Sequence, residues 1–135
     1  MKRFFMKGLA SDKTFYSGYC LKVILPATDG QKEILGGHEN MVMAVTEGIL
    51  KYQAEEDGEW TELAVGSGFA QIINNRVTIL VDTAERPEEI DVRRAEEAKE
   101  RAQEQLRQKQ SIQEYHISRA ALARAMSRLK AANRR

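Results

Sequence analysis

The sequence predicts an α+β chain in two parts, an antiparallel β-sandwich or barrel over residues 1–86 and an α-helical hairpin over residues 87–135. Glycine marks the division, because all nine glycines lie between Gly8 and Gly68. Short apolar runs separated by turn residues fill the first part, whereas alanine and charged residues at helical spacing fill the second. Pro87 stands at the junction, where its fixed φ suits the start of a helix.

Composition and charge exclude several classes of protein. The 135 residues are 42% hydrophobic and 30% charged, which is not the composition of a disordered chain. No apolar run approaches the roughly 20 residues that a membrane-spanning helix needs, and the start of the chain lacks the apolar core of a secretory signal. The formal net charge of +1 gives no general affinity for nucleic acid or membranes. We therefore expect a soluble intracellular protein.

Six runs rich in β-branched and aromatic residues account for the predicted strands. They span residues 19–25, 41–45, 48–52, 62–65, 69–73 and 76–81. Asn74-Asn75 separates the last two runs and suits a two-residue hairpin turn, because asparagine tolerates the positive φ that such turns require. No helix of crossover length lies between the runs, so a parallel α/β sheet is not expected.

Two amphipathic segments predict the helical hairpin. The first begins at Pro87, and its apolar stripe comprises Ile90, Ala95, Ala98, Ala102 and Leu106. A polar break over residues 108–111 precedes the second segment, for which Ser111, in capping-box spacing with Glu114, and Ser118 are rival N-caps. The second stripe comprises Leu122, Met126 and Leu129.

Alanine makes up much of the apolar surface of these segments, with nine alanines between Ala95 and Ala132. Burying one methyl group contributes on the order of 0.5–1 kcal/mol. We therefore expect stable helices that dock weakly and can leave their partner.

Residues that could carry catalysis are few. His38 and His116 have no cysteine near them in the sequence, which argues against a zinc site. The single cysteine, Cys20, lies in an apolar run and is expected to be a core thiol, which also excludes an internal disulfide. Ser67 lies between two glycines and is interpreted as a turn residue. The sequence therefore predicts neither an enzyme nor a metal site.

Arginines of the hairpin are the stronger signal. Arg94 and Arg101 share one side of the first helix, and Arg124 and Arg128 lie four apart on the second. In a closed hairpin these guanidinium groups would repel each other unless an anion or an acidic surface lay between them. Asp91, one turn before Arg94, could orient that side chain or accept a hydrogen bond from a ribose or adenine. The simpler alternative is a solvated charged face with pairs such as Glu97–Arg101.

Five segments resemble a known family, and they span residues 30–38, 48–50, 68–72, 76–80 and 84–91. With the alanine-rich hairpin, they resemble the epsilon subunits of bacterial F-type ATP synthases over residues 8–129. The resemblance implies a sandwich of about ten strands followed by two C-terminal helices. It also implies a non-catalytic central-stalk subunit of a proton-translocating enzyme, bound peripherally at the cytoplasmic face of the bacterial membrane.

The family's partners are the gamma subunit, the rotor c-ring, and the alpha and beta subunits of the catalytic head, with no nucleic acid. Residues 30–38 match the family's rotor-facing loop, so the resemblance implies that Gln31, Glu33 and His38 lie at an interface. The family usually has Leu-Pro-Gly-His where this chain has glycine at position 36. Losing a proline there predicts a freer loop.

The family's ATP-binding positions are also matched. The motif Ile/Leu-Asp-x-x-Arg-Ala corresponds to Ile90, Asp91, Arg94 and Ala95. The further basic positions correspond to Arg101, Arg124 and Arg128, and the upstream acidic position corresponds to Glu85. The resemblance thus implies ATP as a regulatory ligand, with no metal required by the sequence.

The family's hairpin either folds on the sandwich or extends along gamma and blocks ATP hydrolysis. ATP phosphates would offset arginine repulsion and hold the folded form. Two alternatives remain open at this point. One is a purely structural coupling subunit without nucleotide binding, and the other is an unrelated sandwich with a helical interaction tail.

Overall fold

A computed structural model of the protein describes residues 2–108 and 112–133. Ten strands come first in the described chain, and two α-helices follow. The strands are β1 (Phe4–Ala10), β2 (Lys13–Cys20), β3 (Lys22–Ala27), β4 (Gly30–Leu35), β5 (Met41–Val45), β6 (Gly48–Gln53), β7 (Trp60–Val65), β8 (Gly68–Ile73), β9 (Arg76–Val81) and β10 (Ala84–Glu85). The helices are α1 (Val92–Arg107) and α2 (Ile112–Ala132).

The strands form two five-stranded sheets that pack as a sandwich. Sheet A has the order β2-β1-β9-β8-β5, and sheet B has the order β10-β7-β6-β3-β4. The described pairs are antiparallel except β1 with β9, which run parallel. The predicted fold class, an α+β chain with a sandwich of about ten strands and a helical hairpin, is confirmed.

Four strands lie wholly or mostly outside the six runs that the sequence predicts, namely β1, β2, β4 and β10. Residues 4–10 form β1 and residues 13–20 form β2, although no run was predicted before residue 19. The predicted run 19–25 is divided at Leu21, which separates β2 from β3. Strands β1 and β2 combine glycine, lysine and serine with aromatic residues, and such a mixture carries a weak local strand signal.

The core lies between the sheets and is built by alternation along the strands. In β8, Ala70 and Ile72 are buried while the residues on either side of them face outward. Cys20 is fully buried in this core, as predicted, and its Sγ lies 3.1 Å from the Lys22 carbonyl oxygen. Burial raises the pKa of this thiol.

The turn between β8 and β9 confirms the predicted two-residue hairpin. Asn74 and Asn75 have φ values of 48° and 64°, in the left-handed region that the tight hairpin turn requires. Pairing continues directly outward from the turn, with Ile73 opposite Arg76.

The first helix begins later than the sequence predicted. Pro87–Glu89 forms only a 3₁₀ turn, and Ile90 is extended with φ −81° and ψ 124°. Asp91 is the N-cap of α1, because its Oδ1 accepts a hydrogen bond from the Arg94 backbone N–H at 3.1 Å. Pro87 therefore begins the 3₁₀ turn that precedes α1 and is not part of the first turn of the helix.

The second helix has two predicted N-caps, Ser111 and Ser118. Ser118 is not an N-cap, because it lies inside α2 and is 3% exposed. The rival capping box begins at Ser111, which lies outside the described residues, as does the basic end at Arg134 and Arg135.

The hairpin packs on the outer face of sheet B. Ile49 and Ala64 lie directly opposite each other on β6 and β7 and face the hairpin. They belong to one apolar cluster with residues of the C-terminal part, namely Ile90, Val92, Ala95, Leu129, Ala131 and Ala132. Met126 of the predicted second stripe is instead 51% exposed, so the buried side of α2 follows Ala125 and Leu129. Alanines let the helices approach closely, which leaves their arginines at the rim of the contact.

Candidate functional site

A cleft of about 310 Å³ lies between α1 and α2. Four alanines line it, namely Ala98, Ala102, Ala121 and Ala125. Gln105 and the arginines Arg101, Arg124 and Arg128 complete the lining. Because alanine side chains end at Cβ, two closely packed helices here leave an open space surrounded by guanidinium groups. The structure thus brings together three of the four arginines that the sequence analysis grouped.

Arg128 is the most firmly held of these arginines. Its Nε lies 2.8 Å from Glu85 Oε1, and its Nη2 donates a hydrogen bond to Glu85 Oε2 at 3.0 Å. The two side chains are 23% and 28% exposed. The single hydrogen bond from Nη2 and the short Nε–Oε1 ion contact tie α2 to strand β10 of the sandwich, although Nε itself makes no hydrogen bond within the described residues.

Arg124 is held more loosely by two other carboxylates of the sandwich. Its Nη2 lies 3.6 Å from Glu47 Oε1 and 3.9 Å from Asp82 Oδ2. Glu47 is well buried, with a side chain 13% exposed, whereas Arg124 is 44% exposed. A closed hairpin needs an anion or an acidic surface to offset repulsion between its arginines. The sandwich itself supplies this acidic surface through Glu47, Asp82 and Glu85.

Arg101 and Arg94 differ from the two arginines of α2. Arg101 lines the cleft and has no ion pair within residues 2–108 and 112–133. Glu97, its expected partner, pairs with Arg93 instead, at 3.4 Å. Arg94 is exposed and does not line the cleft. In this conformation the structure does not bring Arg94 together with the other three.

The remaining residues of the matched motif have structural contacts in this conformation. Ile90 is 4% exposed and Ala95 is fully buried, both in the contact between hairpin and sandwich. Asp91 caps α1. Glu85 reaches the site only through its pair with Arg128.

Gln31, Glu33 and His38 do not share a loop as expected. Gln31 and Glu33 are exposed on β4, the edge strand of sheet B. His38 follows the Gly36-Gly37 turn and is half-buried, with Nδ1 2.8 Å from the Glu39 carbonyl oxygen. At roughly 3.3 Å per strand residue, Gln31 and the end of β4 at Leu35 are about 13 Å apart. The structure therefore places Gln31 and His38 at opposite ends of an edge strand.

A second surface was not recognised in the sequence. Sheet A presents an apolar outer face, whose most exposed members are Val42 (66%), Tyr19 (63%), Phe69 (61%), Leu80 (49%) and Ile73 (44%). Phe69 lies opposite Leu80 on the neighbouring strand, whereas Val42 lies opposite Gln71 and Ile73 opposite Arg76, so exposed apolar side chains alternate with polar ones on this face. The available signal was that β8 has large apolar residues on both faces, as in Phe69-Ala70-Gln71-Ile72-Ile73. Patches of this kind mark protein-binding surfaces.

Within the described part of the chain, no group of three or more histidine, cysteine or acidic residues could hold a metal ion. Among the same residues, neither helix combines the length and the apolar character needed to cross a bilayer.

Comparisons with known proteins match both parts of the chain. The beta-sandwich domain of the ATP synthase delta/epsilon chain matches residues 5–87, and the long alpha-helix domain of the same chain matches residues 88–133. The ATP synthase epsilon chain of Ruminiclostridium cellulolyticum is 48% identical over 135 residues, covering 100% of this chain and 99% of that protein. That of Caldanaerobacter subterraneus subsp. tengcongensis is 43% identical, covering 98% and 96%.

Solved structures agree at the level of the fold. A chain of the Euglena gracilis mitochondrial ATP synthase, in a structure of OSCP, F1 and the c-ring, has a TM-score of 0.82 at 23% identity, covering 98% of this chain and 82% of that chain. A chain of the Tetrahymena thermophila mitochondrial ATP synthase central stalk and c-ring has a TM-score of 0.66 at 12% identity, covering 98% and 99%.

Proposed function

The chain belongs to the family of ATP synthase delta/epsilon chains, and on this basis we propose that it is a non-catalytic rotor subunit of a proton-translocating ATP synthase. In this role the sandwich links the gamma subunit to the c-ring, at the cytoplasmic face of the bacterial membrane. The helical hairpin is a regulatory arm that binds ATP when folded. When extended along gamma toward the alpha and beta subunits, it inhibits ATP hydrolysis.

The sandwich offers two surfaces for the rotor role. The apolar outer face of sheet A is suited to gamma, because an apolar patch shielded from water is typical of the centre of a stable protein interface. The exposed edge strand β4 and the turn that leads to His38 are suited to the c-ring. The two surfaces belong to different sheets, so both partners can be bound together.

The observation that carries the proposal for the hairpin is the arginine-lined cleft between α1 and α2. Arg101 and the loosely held Arg124 line one opening, and guanidinium groups provide the planar, multiple donors that suit phosphate oxygens. A volume of about 310 Å³ is at the lower end of the range for ligand pockets. The cleft would hold the phosphate chain, and part of the nucleoside would remain at its rim.

The carboxylates change the mechanism that the sequence suggested. Because Glu85 neutralises Arg128, and Glu47 and Asp82 approach Arg124, arginine repulsion alone does not force the hairpin open. ATP therefore acts through Arg101 and by competing for the looser Arg124. If ATP binds only the folded hairpin, a concentration 100 times Kd stabilises that form by about 2.7 kcal/mol.

A purely structural coupling subunit is the second candidate. The specific observation in its favour is the same set of ion pairs, because a hairpin whose arginines are already neutralised folds on the sandwich without any ligand. In that case the arginines of α2 contribute to docking and, once released, to contact with the catalytic head.

Nucleotide titration of the full chain distinguishes the two candidates. Backbone NMR signals of α1 and α2 are followed during addition of ATP, with ADP as the control ligand. Saturable shifts around the cleft that favour ATP support the regulatory site, and replacing Arg101 by Ala should weaken them. Absence of any shift up to millimolar ATP would leave the structural coupler. A second test is inhibition of ATP hydrolysis in the reassembled complex, which the R124A/R128A double variant should relieve.

A further inference from the structure

The turn between β4 and β5 contains two consecutive glycines, Gly36 and Gly37, and leads directly to His38. A glycine pair loses more conformational freedom on ordering than any other pair, so a turn of this composition needs outside contacts to hold one shape. Gly37 has φ +81°, a left-handed conformation. The hydrogen bond from the His38 N–H to the Leu35 carbonyl oxygen is long, at 3.3 Å.

Asn75, in the turn between β8 and β9, supplies such contacts. Its Oδ1 accepts a hydrogen bond from the Gly37 N–H at 2.7 Å, and its Nδ2 donates to the Arg3 carbonyl oxygen at 2.8 Å. Its own carbonyl oxygen accepts from the Phe5 N–H at 3.3 Å. One side-chain amide thus uses both of its ends to join the glycine turn to the start of β1.

The backbone of Lys2 closes the other side of the turn. A Cβ atom at position 36 would lie only 2.3 Å from the Lys2 carbonyl oxygen. Position 36 therefore accepts glycine alone unless the N-terminal segment moves away. The close approach and the Asn75 hydrogen bonds together hold the turn against the end of sheet A, which β1, β8 and β9 belong to.

We propose that Asn75 is a positioning residue for the contact between the chain and the rotor ring, because its amide holds the Gly36–His38 turn in one conformation. This inference rests on the proposed function, in which this turn faces the ring. Asn75 does not need to touch the ring itself. Because Asn75 already orders the turn, the glycine pair loses less conformational entropy on binding. This preorganisation raises affinity.

The test compares Asn75→Gly with the matched control Asn74→Gly. Glycine permits the positive φ at both positions, so both variants keep the turn. Within the described residues the Asn74 side chain makes no hydrogen bond, whereas its backbone N–H, which glycine retains, donates to Asn40 Oδ1. Only N75G therefore removes the amide that holds Gly37. G36A is an independent second perturbation, because its methyl group displaces the turn from Lys2.

Two measurements are made on the full-length variants. Amide hydrogen exchange should become about 5- to 10-fold faster at Gly37 in N75G and stay unchanged in N74G, with core amides such as Ile72 as the internal reference for global stability. Affinity for a detergent-solubilised rotor of gamma and c-ring should fall about 3- to 10-fold in N75G and G36A, and stay within about twofold in N74G.

Each other outcome overturns the inference in a recognisable way. Equal exchange at Gly37 in N75G and N74G means that the amide does not hold the turn. Faster exchange with unchanged ring affinity, while H38A weakens ring binding, refutes the positioning role and leaves the proposed function intact. If H38A and N75G both bind the ring normally, the proposed ring contact is wrong and the inference fails with it.

Discussion

Replacing Glu85 by Gln tests whether sandwich carboxylates hold the hairpin folded without nucleotide. The substitution keeps the size of the side chain and removes the negative charge that faces Arg128 across 2.8 and 3.0 Å. Arg128 then remains at the interface between hairpin and sandwich without its counter-charge. We expect the hairpin to spend more time undocked, while the sandwich stays folded.

The size of the effect follows from the exposure of the pair. Exposed ion pairs contribute about 0–1 kcal/mol, and removing one partner of a buried pair costs about 3–5 kcal/mol. Arg128 and Glu85 are 23% and 28% exposed, between these limits. We therefore expect a loss of about 2 kcal/mol in the docking free energy, which corresponds to about 30-fold in the docking equilibrium.

Amide hydrogen exchange of α2, measured without nucleotide, reports this equilibrium because an undocked helix loses its tertiary support and opens more often. Exchange of α2 amides should accelerate about 30-fold in E85Q, and the difference from the parent chain should shrink as salt screens the remaining charges. Asp29→Asn is the control, since it removes a charge from the exposed Asp29–Lys32 pair within the β3–β4 hairpin. An unchanged exchange rate of α2 in E85Q at low salt would refute a role of the Arg128–Glu85 pair in docking. Apolar packing alone would then hold the hairpin on the sandwich.

Three further predictions concern the cleft, the docking contact and pH. Ala121→Leu places three added carbon atoms in the cleft, so ATP affinity measured by calorimetry should fall at least about tenfold. The control Ala123→Leu lies in the groove on the other side of α2 and should leave ATP affinity unchanged. Leu129→Ala should cost about 2–3 kcal/mol of hairpin stability, because Leu129 is 8% exposed in the cluster that contacts sheet B. Helical circular dichroism during urea unfolding measures this loss, and unfolding of the sandwich in the same step would contradict the prediction. The hydrogen bond from Lys13 lowers the pKa of Glu89 below its ordinary value of 4.5. This contribution is therefore complete above about pH 4.5 and is lost as pH falls through the folded-state pKa, so the destabilisation caused by Lys13→Ala should shrink as pH is lowered from about 6. A loss of stability that does not change with pH would exclude the pair as the cause.

The parts of the fold that depend on local chemistry were predictable from the sequence. Asn74-Asn75 specifies a tight hairpin turn because both residues tolerate positive φ. Strands β8 and β9 were recognised on either side of it from their β-branched residues. Strands β1 and β2 were missed, because Gly8 and Gly18 interrupt their apolar pattern. Gly8 is required only by the tertiary fold, since a Cβ there would lie 2.2 Å from the Phe15 ring.

The start of α1 was misplaced for a related reason. Proline followed by acidic residues favours a helix start locally, and Pro87–Glu89 does form a 3₁₀ turn. Ile90 must then leave helical geometry, because its side chain is buried between the hairpin and sheet B. Asp91 restarts the helix as a cap. Burial at one position thus outweighed the local preference of its neighbours.

By itself the sequence determined the two kinds of secondary structure and the presence of arginines on both helices. Helical periodicity put Arg124 and Arg128 on one side of α2 whatever that helix contacts. Only the tertiary structure decided which charges they meet. Glu85 lies 43 positions before Arg128, and no local pattern links residues so far apart. Their pairing exists because Ile49 and Ala64 of sheet B bury the apolar side of the hairpin, and that docking sets the positions of the charges at its rim.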